Sequence, residues 1–244
     1  MDWHARYLQQ AAWTRDLRAY LFDQAGLSTA QRVLEVGCGT GAVLRELITP
    51  AALHGLDLEP ASLAQCHLHA PAALLTCGNG LLLPYPDQSF NIVYCHYLLL
   101  WVHDPLQALR EMKRTTKPGG YILALAEPDY ISRIDQPAIL QTLGTWQRNA
   151  LKGQGADVGF GARLAETMYQ AGIRLIETGT IQRASSEPSA EEQKMEWAVL
   201  EADLAGSIPD AEIQKMKKVD AEAWATKTRV LHVPTYFGWG QRVE

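Results

Sequence analysis

The first half of the chain alternates short apolar runs with segments whose apolar residues recur at helical spacing. The apolar runs are short and are bounded by Gly, Pro and Asp, which is typical of buried strands. This alternation predicts βαβ units and a parallel sheet. The predicted strands cover 31–36, 52–58, 72–76, 89–97 and 121–127. The predicted helices cover 42–48, 60–69 and the stretch from Asp104 to the KPGG turn at 117–120.

The remaining segments complete a sheet and leave a surplus. A helix at about 160–171, a strand in 172–182 and a strand in 228–237 extend the predicted core, which begins at 31–127. The expected fold is Rossmann-like α/β, with a doubly wound, mostly parallel seven-stranded sheet. The domain prediction therefore has a core of 31–127, 160–182 and 228–244, and helical cap segments at 1–30, 128–159 and 183–227.

Composition narrows the class of protein. The 244 residues are 47% hydrophobic and 20% charged, with a formal net charge of −5. These values are typical of a globular protein, and the acidic balance argues against a nucleic-acid partner. No apolar run reaches the roughly 20 residues that span a bilayer, and no secretory signal is visible, so we expect a cytoplasmic protein without a membrane partner. The oligomeric state is left open.

Cysteine and histidine usage gives no sign of a disulfide frame or a metal centre. The four cysteines form no CxxC pair, which favours reduced thiols in a chain of this size. Cys66, His67 and His69 are close in sequence, but residues i and i+2 of a helix point in different directions. We therefore expect no metal.

A glycine loop and an acid carry the first chemical signal. Gly37 and Gly39 lie in VLEVGCGTG (33–41), between a predicted strand and a predicted helix, where backbone N–H groups can face a ligand. Asp57 follows Gly37 by 20 residues, at the end of the second strand, where doubly wound folds place a ribose-binding acid. The same glycines also fit a dinucleotide fingerprint. An NAD-type oxidoreductase and a non-catalytic cofactor-binding protein therefore remain alternatives.

Four features in order make the pattern more specific. They are VLEVGCGTG, LDLEP, GNGLLLPYPDQSFNIVYCHYLLLWVHDP and LREMKRTTKPGGYIL, all within 31–127. Together they resemble the class I S-adenosylmethionine-dependent methyltransferases, of the small-molecule kind similar to quinone methyltransferases. The resemblance implies S-adenosylmethionine as cofactor. It also implies methyl transfer to a small organic acceptor by in-line displacement, at oxygen or carbon.

The resemblance also assigns roles to residues along the predicted crevice. Glu35 would help to hold the methionine amino group, the backbone of Gly37, Cys38 and Gly39 would line the methionine and ribose, and Asp57 would take the ribose hydroxyls. Leu58 would pack beside the adenine, and Asn79 stands where the family usually has an Asp that contacts the adenine amino group. The remaining expected cofactor contacts are Tyr7 on the N-terminal helix, Gly80, Cys95 and His96.

Proton removal from an acceptor needs a base, and His96 at the end of the fourth strand is the first candidate. Weaker candidates are Tyr97, Glu127, Tyr130 and His232. The fourth strand ends in YCHY rather than the (D/N/S)PP(Y/F) that suits methylation of nucleic-acid bases. This ending again favours a small-molecule acceptor.

Overall fold

A computed structural model describes residues 2–181 and 188–243. Helices and strands alternate through its first half, and helices dominate residues 137–225. The helices are α1 Trp3–Trp13, α2 Arg15–Gln24, α3 Pro60–His69, α4 Pro105–Thr115, α5 Gln141–Gly153, α6 Leu164–Gln170, α7 Ala190–Leu204 and α8 Asp210–Ala225. The strands are β1 Arg32–Val36, β2 Ala52–Asp57, β3 Leu74–Cys77, β4 Phe90–Cys95, β5 Thr116–Pro128, β6 Ile134–Gln136, β7 Arg174–Thr180, β8 Val230–His232 and β9 Thr235–Gln241.

Seven of these strands form the main sheet, in the order β3-β2-β1-β4-β5-β9-β7. The pairs from β3 to β5 are parallel, and β9 runs antiparallel to both β5 and β7. This confirms the expected doubly wound, mostly parallel seven-stranded sheet. The strand order reverses between β1 and β4, and a ligand crevice opens at the carboxyl ends of such a pair.

Two apolar clusters cover the two faces of the sheet. One contains Phe90, Val93 and Met112 and packs against α4 and α6; the other contains Phe22, Tyr94 and Trp239 and packs against α1 and α2. Successive residues of β4 from Ile92 to Cys95 face opposite clusters, as the period of a strand requires. Tyr94, and His96 just beyond the strand end, therefore face the N-terminal helices.

Two predictions about helices of the core are wrong in detail. The helix expected at 42–48 is reduced to a 3₁₀ turn at Leu44–Glu46. The segment is short, and Pro50 disfavours helical conformation at the residue before it, so the helix has too few residues to propagate. The KPGG sequence, expected to close a helix, lies instead within the long strand β5, although α4 does end just before it.

The predicted strand 228–237 is divided. Pro234 separates β8, which pairs with β6 in a small second sheet, from β9, which continues in the main sheet to Gln241. Proline has no N–H to donate to a ladder, which explains the break. Segment 128–159, expected to be mainly helical, contributes β6 as well as α5.

The helical surplus has an apolar cluster of its own. Leu143 on α5, Trp197 and Leu204 on α7, and Ile213 and Met216 on α8 pack together away from the sheet. The start of the predicted segment 183–227, up to residue 187, lies outside the described residues. None of the helices within the described residues is long and apolar enough to cross a membrane.

Candidate cofactor and active site

The glycine loop is a tight backbone turn fastened to the neighbouring strand. Gly37 and Gly39 have φ values of +74° and +50°, in the left-handed region that favours glycine. The N–H groups of Gly37 and Cys38 both donate to the carbonyl of Leu56, at 2.7 and 3.0 Å. A Cβ at Gly37 would lie 2.7 Å from a methyl carbon of Leu98. Only glycine fits there, so the loop presents bare backbone to the crevice.

Asp57 lies at the carboxyl end of β2 and joins the loop to the start of α3. Its Oδ2 accepts a hydrogen bond from the Gly39 N–H at 2.8 Å, and its Oδ1 accepts from the Glu59 N–H at 2.9 Å. The carboxylate is therefore fixed in position. Each oxygen keeps a further lone pair, which leaves Asp57 able to accept from a vicinal diol.

Apolar side chains beside Asp57 are unusually exposed. Leu58 is 70% exposed and Leu82 is 74% exposed. The side-chain oxygen of Asn79 accepts from the Leu81 N–H at 2.9 Å, which shapes the turn that contains Gly80. Part of the accepting capacity of Asn79 is thus already used. Exposed apolar surface next to an acid and an amide suits a flat heteroaromatic ring.

Helix α1 lies across the glycine loop. A Cβ atom added to Gly39 would lie 3.5 Å from the Tyr7 ring, so this ring packs directly against the loop. His4 Nδ1 is 2.8 Å from the Thr40 hydroxyl oxygen, and the His4 ring stacks on that of His69 with centroids 3.5 Å apart. Burial, and then the charge of Asp57, raise the pKa of Tyr7. The N-terminal helix thereby forms a cover over the loop.

Glu35 is buried beneath this cover. It is 2% exposed, and its carboxylate accepts a hydrogen bond from the Tyr94 hydroxyl at 3.0 Å. Burial raises its pKa well above the usual range, and the nearby Arg18 opposes that rise. Glu35 lies below the loop, and its expected contact with a methionine amino group stays a prediction.

Cys95 and His96 follow one another at the end of β4 and face opposite sides of the sheet. Cys95 is fully buried in the core, and burial raises the pKa of its thiol. His96 Nε2 lies 3.0 Å from the Thr14 hydroxyl oxygen. Burial, and then the charge of Arg18, lower the pKa of His96 to about 3. An imidazole with so low a pKa is a poor general base near neutral pH.

Two of the weaker base candidates, Glu127 and Tyr130, are also poorly suited to act as a base. Glu127 is 0% exposed and accepts hydrogen bonds from the N–H groups of Leu98, Leu99 and Leu100. Burial raises its pKa to about 7, against the effect of those three donors. Burial likewise raises the pKa of Tyr130 to about 12. Glu127 is thus a structural anchor for the turn after β4 rather than a group that faces a substrate.

The other two candidates differ from each other in position. His232 is exposed in β8, opposite Ile134 in the small second sheet. Tyr97 directly follows His96, has a φ of +54°, and meets the His96 ring edge-on with centroids 4.8 Å apart. A bulky residue in the left-handed region is strained, and such strain is often found at functional sites. The structure therefore brings Tyr97, and not His232, to the crevice.

Several polar residues at this junction were not predicted from the sequence. Thr14, between α1 and α2, contacts His96, and Arg18 of α2 contacts Thr14. Arg6 of α1 pairs with Glu196 of α7 at 2.8 Å. The Arg6 guanidinium also lies over the Trp13 ring, 4.9 Å from its centroid. In the sequence, the only signal for these contacts is an arginine at helical spacing in a predicted helix. That spacing does not show which residue the arginine contacts.

Comparison with known proteins agrees with this geometry. A family model described as a methyltransferase domain matches residues 34–124. A malonyl-[acyl-carrier protein] O-methyltransferase of Halorhodospira halophila is 32% identical over 62% of this chain and 48% of its own length. A demethylmenaquinone methyltransferase of Shouchella clausii is 35% identical over 48% of this chain and 52% of its own length. The chain thus spans about half the length of these two relatives.

Residues 34–124 thus match a methyltransferase domain, and the chain is similar to S-adenosylmethionine-dependent methyltransferases. A solved methyltransferase of the same fold is phosphoethanolamine N-methyltransferase 2 of Haemonchus contortus, determined in complex with S-adenosyl-L-methionine. It superposes with a TM-score of 0.60 at 16% identity, over 94% of this chain and 53% of its own. The cofactor of this methyltransferase family is S-adenosylmethionine, as the sequence resemblance implied.

Proposed function

We propose that this methyltransferase transfers the methyl group of S-adenosylmethionine to a small organic acceptor. The observation that carries this proposal is the meeting of the glycine loop and Asp57 at the carboxyl ends of β1 and β2, with Gly39 N and Asp57 Oδ2 2.8 Å apart. Asp57 would accept from the ribose hydroxyls, Leu58 would pack on the adenine near Asn79 and Gly80, and the loop backbone would line the methionine. S-Adenosylmethionine would supply a methyl group on its sulfonium, and the neutral thioether S-adenosylhomocysteine would be the leaving group.

Binding of the cofactor can be tested directly. Isothermal titration should show binding of S-adenosylmethionine and S-adenosylhomocysteine, and none of NAD. Asp57→Asn should weaken binding about tenfold or more, because a hydrogen bond to a charged group contributes about 1.5–3 kcal/mol. Asp23→Asn, at an exposed carboxylate on α2, is the matched control and should bind as wild type. Tight NAD binding without S-adenosylmethionine binding would refute the proposal.

We further propose that the acceptor is already ionised at neutral pH, as a carboxylate or an acidic enol or phenol. This proposal is supported by the surroundings of three of the five base candidates. His96 has a pKa of about 3, Glu127 is buried under three N–H donors, and the pKa of Tyr130 is raised to about 12. None of these groups is suited to removing a proton from an alcohol. An ionised acceptor needs only alignment with the methyl group in a dry crevice.

The acceptor class can be tested with matched pairs. Release of S-adenosylhomocysteine should be measured with a carboxylic acid and its alcohol, and with phenols of low and high pKa. One relative is named for O-methylation of a malonyl-carrying protein and the other for demethylmenaquinone, so a malonyl ester and a naphthoquinol belong in the panel. Turnover should favour the more acidic member of each pair. Preferred methylation of an alcohol would overturn this choice, while binding without any turnover would favour a non-catalytic protein.

The small-molecule acceptor is supported by the acidic net charge of −5. We also propose a cytoplasmic location, which the four free cysteines support.

A further inference from the structure

One buried cation organises the polar groups behind His96. Arg18 is 3% exposed, and its Nη1 donates to the Ala11 carbonyl at 2.6 Å and to the Thr14 hydroxyl oxygen at 2.7 Å. Its Nη2 pairs with Glu46. Arg18 therefore closes the carboxyl end of α1, where a cation and a donor are both favourable. The same guanidinium holds the Thr14 hydroxyl in a fixed orientation.

The Thr14 hydroxyl has a single proton to give. Its oxygen already accepts from Arg18, and the neighbouring Ala11 carbonyl already accepts from Arg18 and from the Thr14 N–H. A hydroxyl that accepts from a guanidinium is polarised into a better donor and a poorer acceptor. The shorter contact and the already occupied carbonyl favour donation of this proton to His96 Nε2, at 3.0 Å, over donation to Ala11 O, at 3.2 Å. A neutral imidazole that accepts at Nε2 carries its own proton on Nδ1.

We propose that Arg18, acting through the Thr14 hydroxyl, holds His96 as the neutral Nδ1-protonated tautomer, so that His96 offers a hydrogen-bond donor to the crevice. Within the described residues, His96 Nδ1 has no hydrogen-bond partner. This donor suits an anionic oxygen of the acceptor, which is the part that rests on the proposed function. Arg18 and Thr14 are positioning residues, because they act through His96.

The charges around this junction agree with a neutral ring. Arg18 faces His96 from α2, with Glu46 and the exposed Arg15 on its outer side. Glu35 and Tyr94 are also charge neighbours of the Arg18 guanidinium, and the Tyr97 ring meets the imidazole edge-on with centroids 4.8 Å apart. None of the carboxylates hydrogen-bonds the imidazole, so no anion compensates a second ring proton. The electrostatic surroundings thus favour a neutral ring, and the hydrogen-bond geometry favours the Nδ1-protonated tautomer.

The tautomer can be observed without any turnover assay. Long-range ¹H–¹⁵N correlation spectra of ¹⁵N-histidine-labelled protein report which ring nitrogen carries the proton, and His96→Gln assigns the signals. Wild type should show His96 neutral and Nδ1-protonated from pH 8 down to pH 5. A cationic His96 at pH 6, or an Nε2-protonated ring, would overturn the proposal. Because this readout needs no substrate, it fails or succeeds independently of the proposed function.

Two matched pairs of variants test the chain of contacts. Thr14→Ser keeps the hydroxyl and should keep the wild-type spectrum, whereas Thr14→Val removes it and should give a mixture of tautomers. Arg18→Met should do the same as Thr14→Val, whereas Arg15→Met removes the other cation on Glu46 and should leave the spectrum unchanged. An unchanged Nδ1-protonated ring in both Thr14→Val and Arg18→Met would refute the relay.

Turnover then separates a donor from a base. His96→Gln retains an N–H donor, while His96→Leu has none, so His96→Leu should be about tenfold slower in kcat/KM than His96→Gln. Equal loss in both variants, together with a rate that depends on a group titrating near pH 6, would instead indicate a base. Such a result would contradict the proposed tautomer even if methyl transfer itself is confirmed.

Discussion

The His96 imidazole makes the folded state less stable in acid. Its pKa is about 3 in the folded chain, against the ordinary value of 6.5. The folded state therefore binds fewer protons than the unfolded state between these values. The stability due to neutral His96 is complete above pH 6.5 and is lost as the pH falls toward 3. At pH 5 the loss amounts to about 2 kcal/mol.

Comparison of wild type with His96→Gln isolates this contribution. Free energies of unfolding from urea titrations should be measured at pH 8 and pH 5. The stability advantage of wild type over His96→Gln should shrink by about 2 kcal/mol on acidification. His103→Gln, at an exposed loop histidine, is the matched control for the substitution itself. An advantage that is equal at the two pH values would contradict the low pKa.

At the same scale, the sequence predicts some residues far better than others. Asp57 could be placed from spacing alone, because parallel strands end at one edge of the sheet. The contact between Thr14 and His96 joins residues 82 positions apart, and nothing in the sequence marks it. The proposed base role of His96 depended on an ordinary pKa. Burial and Arg18, which lower that pKa, depend on tertiary packing.

At the scale of elements, a single carboxylate fixes the turn after β4. Glu127 Oε1 accepts from Leu98 N and Leu99 N at 3.1 and 2.9 Å, and Oε2 accepts from Leu100 N at 3.1 Å. Glu127→Gln keeps one acceptor oxygen and points an amide donor at the remaining N–H. A buried N–H without a partner costs about 1–3 kcal/mol, so the urea midpoint should fall accordingly.

The control for this prediction is Glu166→Gln. Glu166 is exposed on α6 and contacts only Gln170 among the hydrogen bonds of the described residues. Its substitution should change stability by less than about 0.5 kcal/mol. If Glu127→Gln unfolds at the wild-type midpoint, the turn after β4 does not depend on this carboxylate.

Element prediction succeeded where local signals agree and failed where one residue dominates. Asp104 caps α4 by accepting from Gln107 N, and Pro105 occupies its first turn, as Asp-Pro predicts. In contrast, apolar spacing at 42–48 suggested a helix that too few residues can support before Pro50. Pro234 likewise divided a run that was predicted as one strand. Periodicity predicts the type of an element better than its limits, because one proline can end it.

At the scale of the molecule, buried ion pairs hold together the segments around β6, α7 and α8, which are part of the predicted helical cap. Asp135 in β6 binds Arg133 at 2.6 Å and Arg229 at 2.9 Å, and Arg229 also binds Asp220 on α8. Asp220 in turn accepts from the Trp197 indole N–H at 2.8 Å. The Asp135 and Arg229 side chains are only 2% and 1% exposed. This network joins the segments after β5 to α7 and α8, which share an apolar cluster separate from the sheet.

Removal of the charge of Asp135 should therefore weaken the cap more than the cofactor-binding core. Asp135→Asn leaves two buried guanidinium groups short of a partner, and breaking a buried pair costs about 3–5 kcal/mol. Hydrogen-exchange mass spectrometry should show faster exchange in α7 and α8 than in wild type, with β1 and β4 little changed. Glu201→Gln, which breaks the more exposed 2.7 Å pair with Lys217 in the same cap, should cost less than about 1 kcal/mol. Equal acceleration of exchange in the cap and in the sheet would contradict this prediction. It would show that the two parts unfold as one cooperative unit and that the cap has no separate stability.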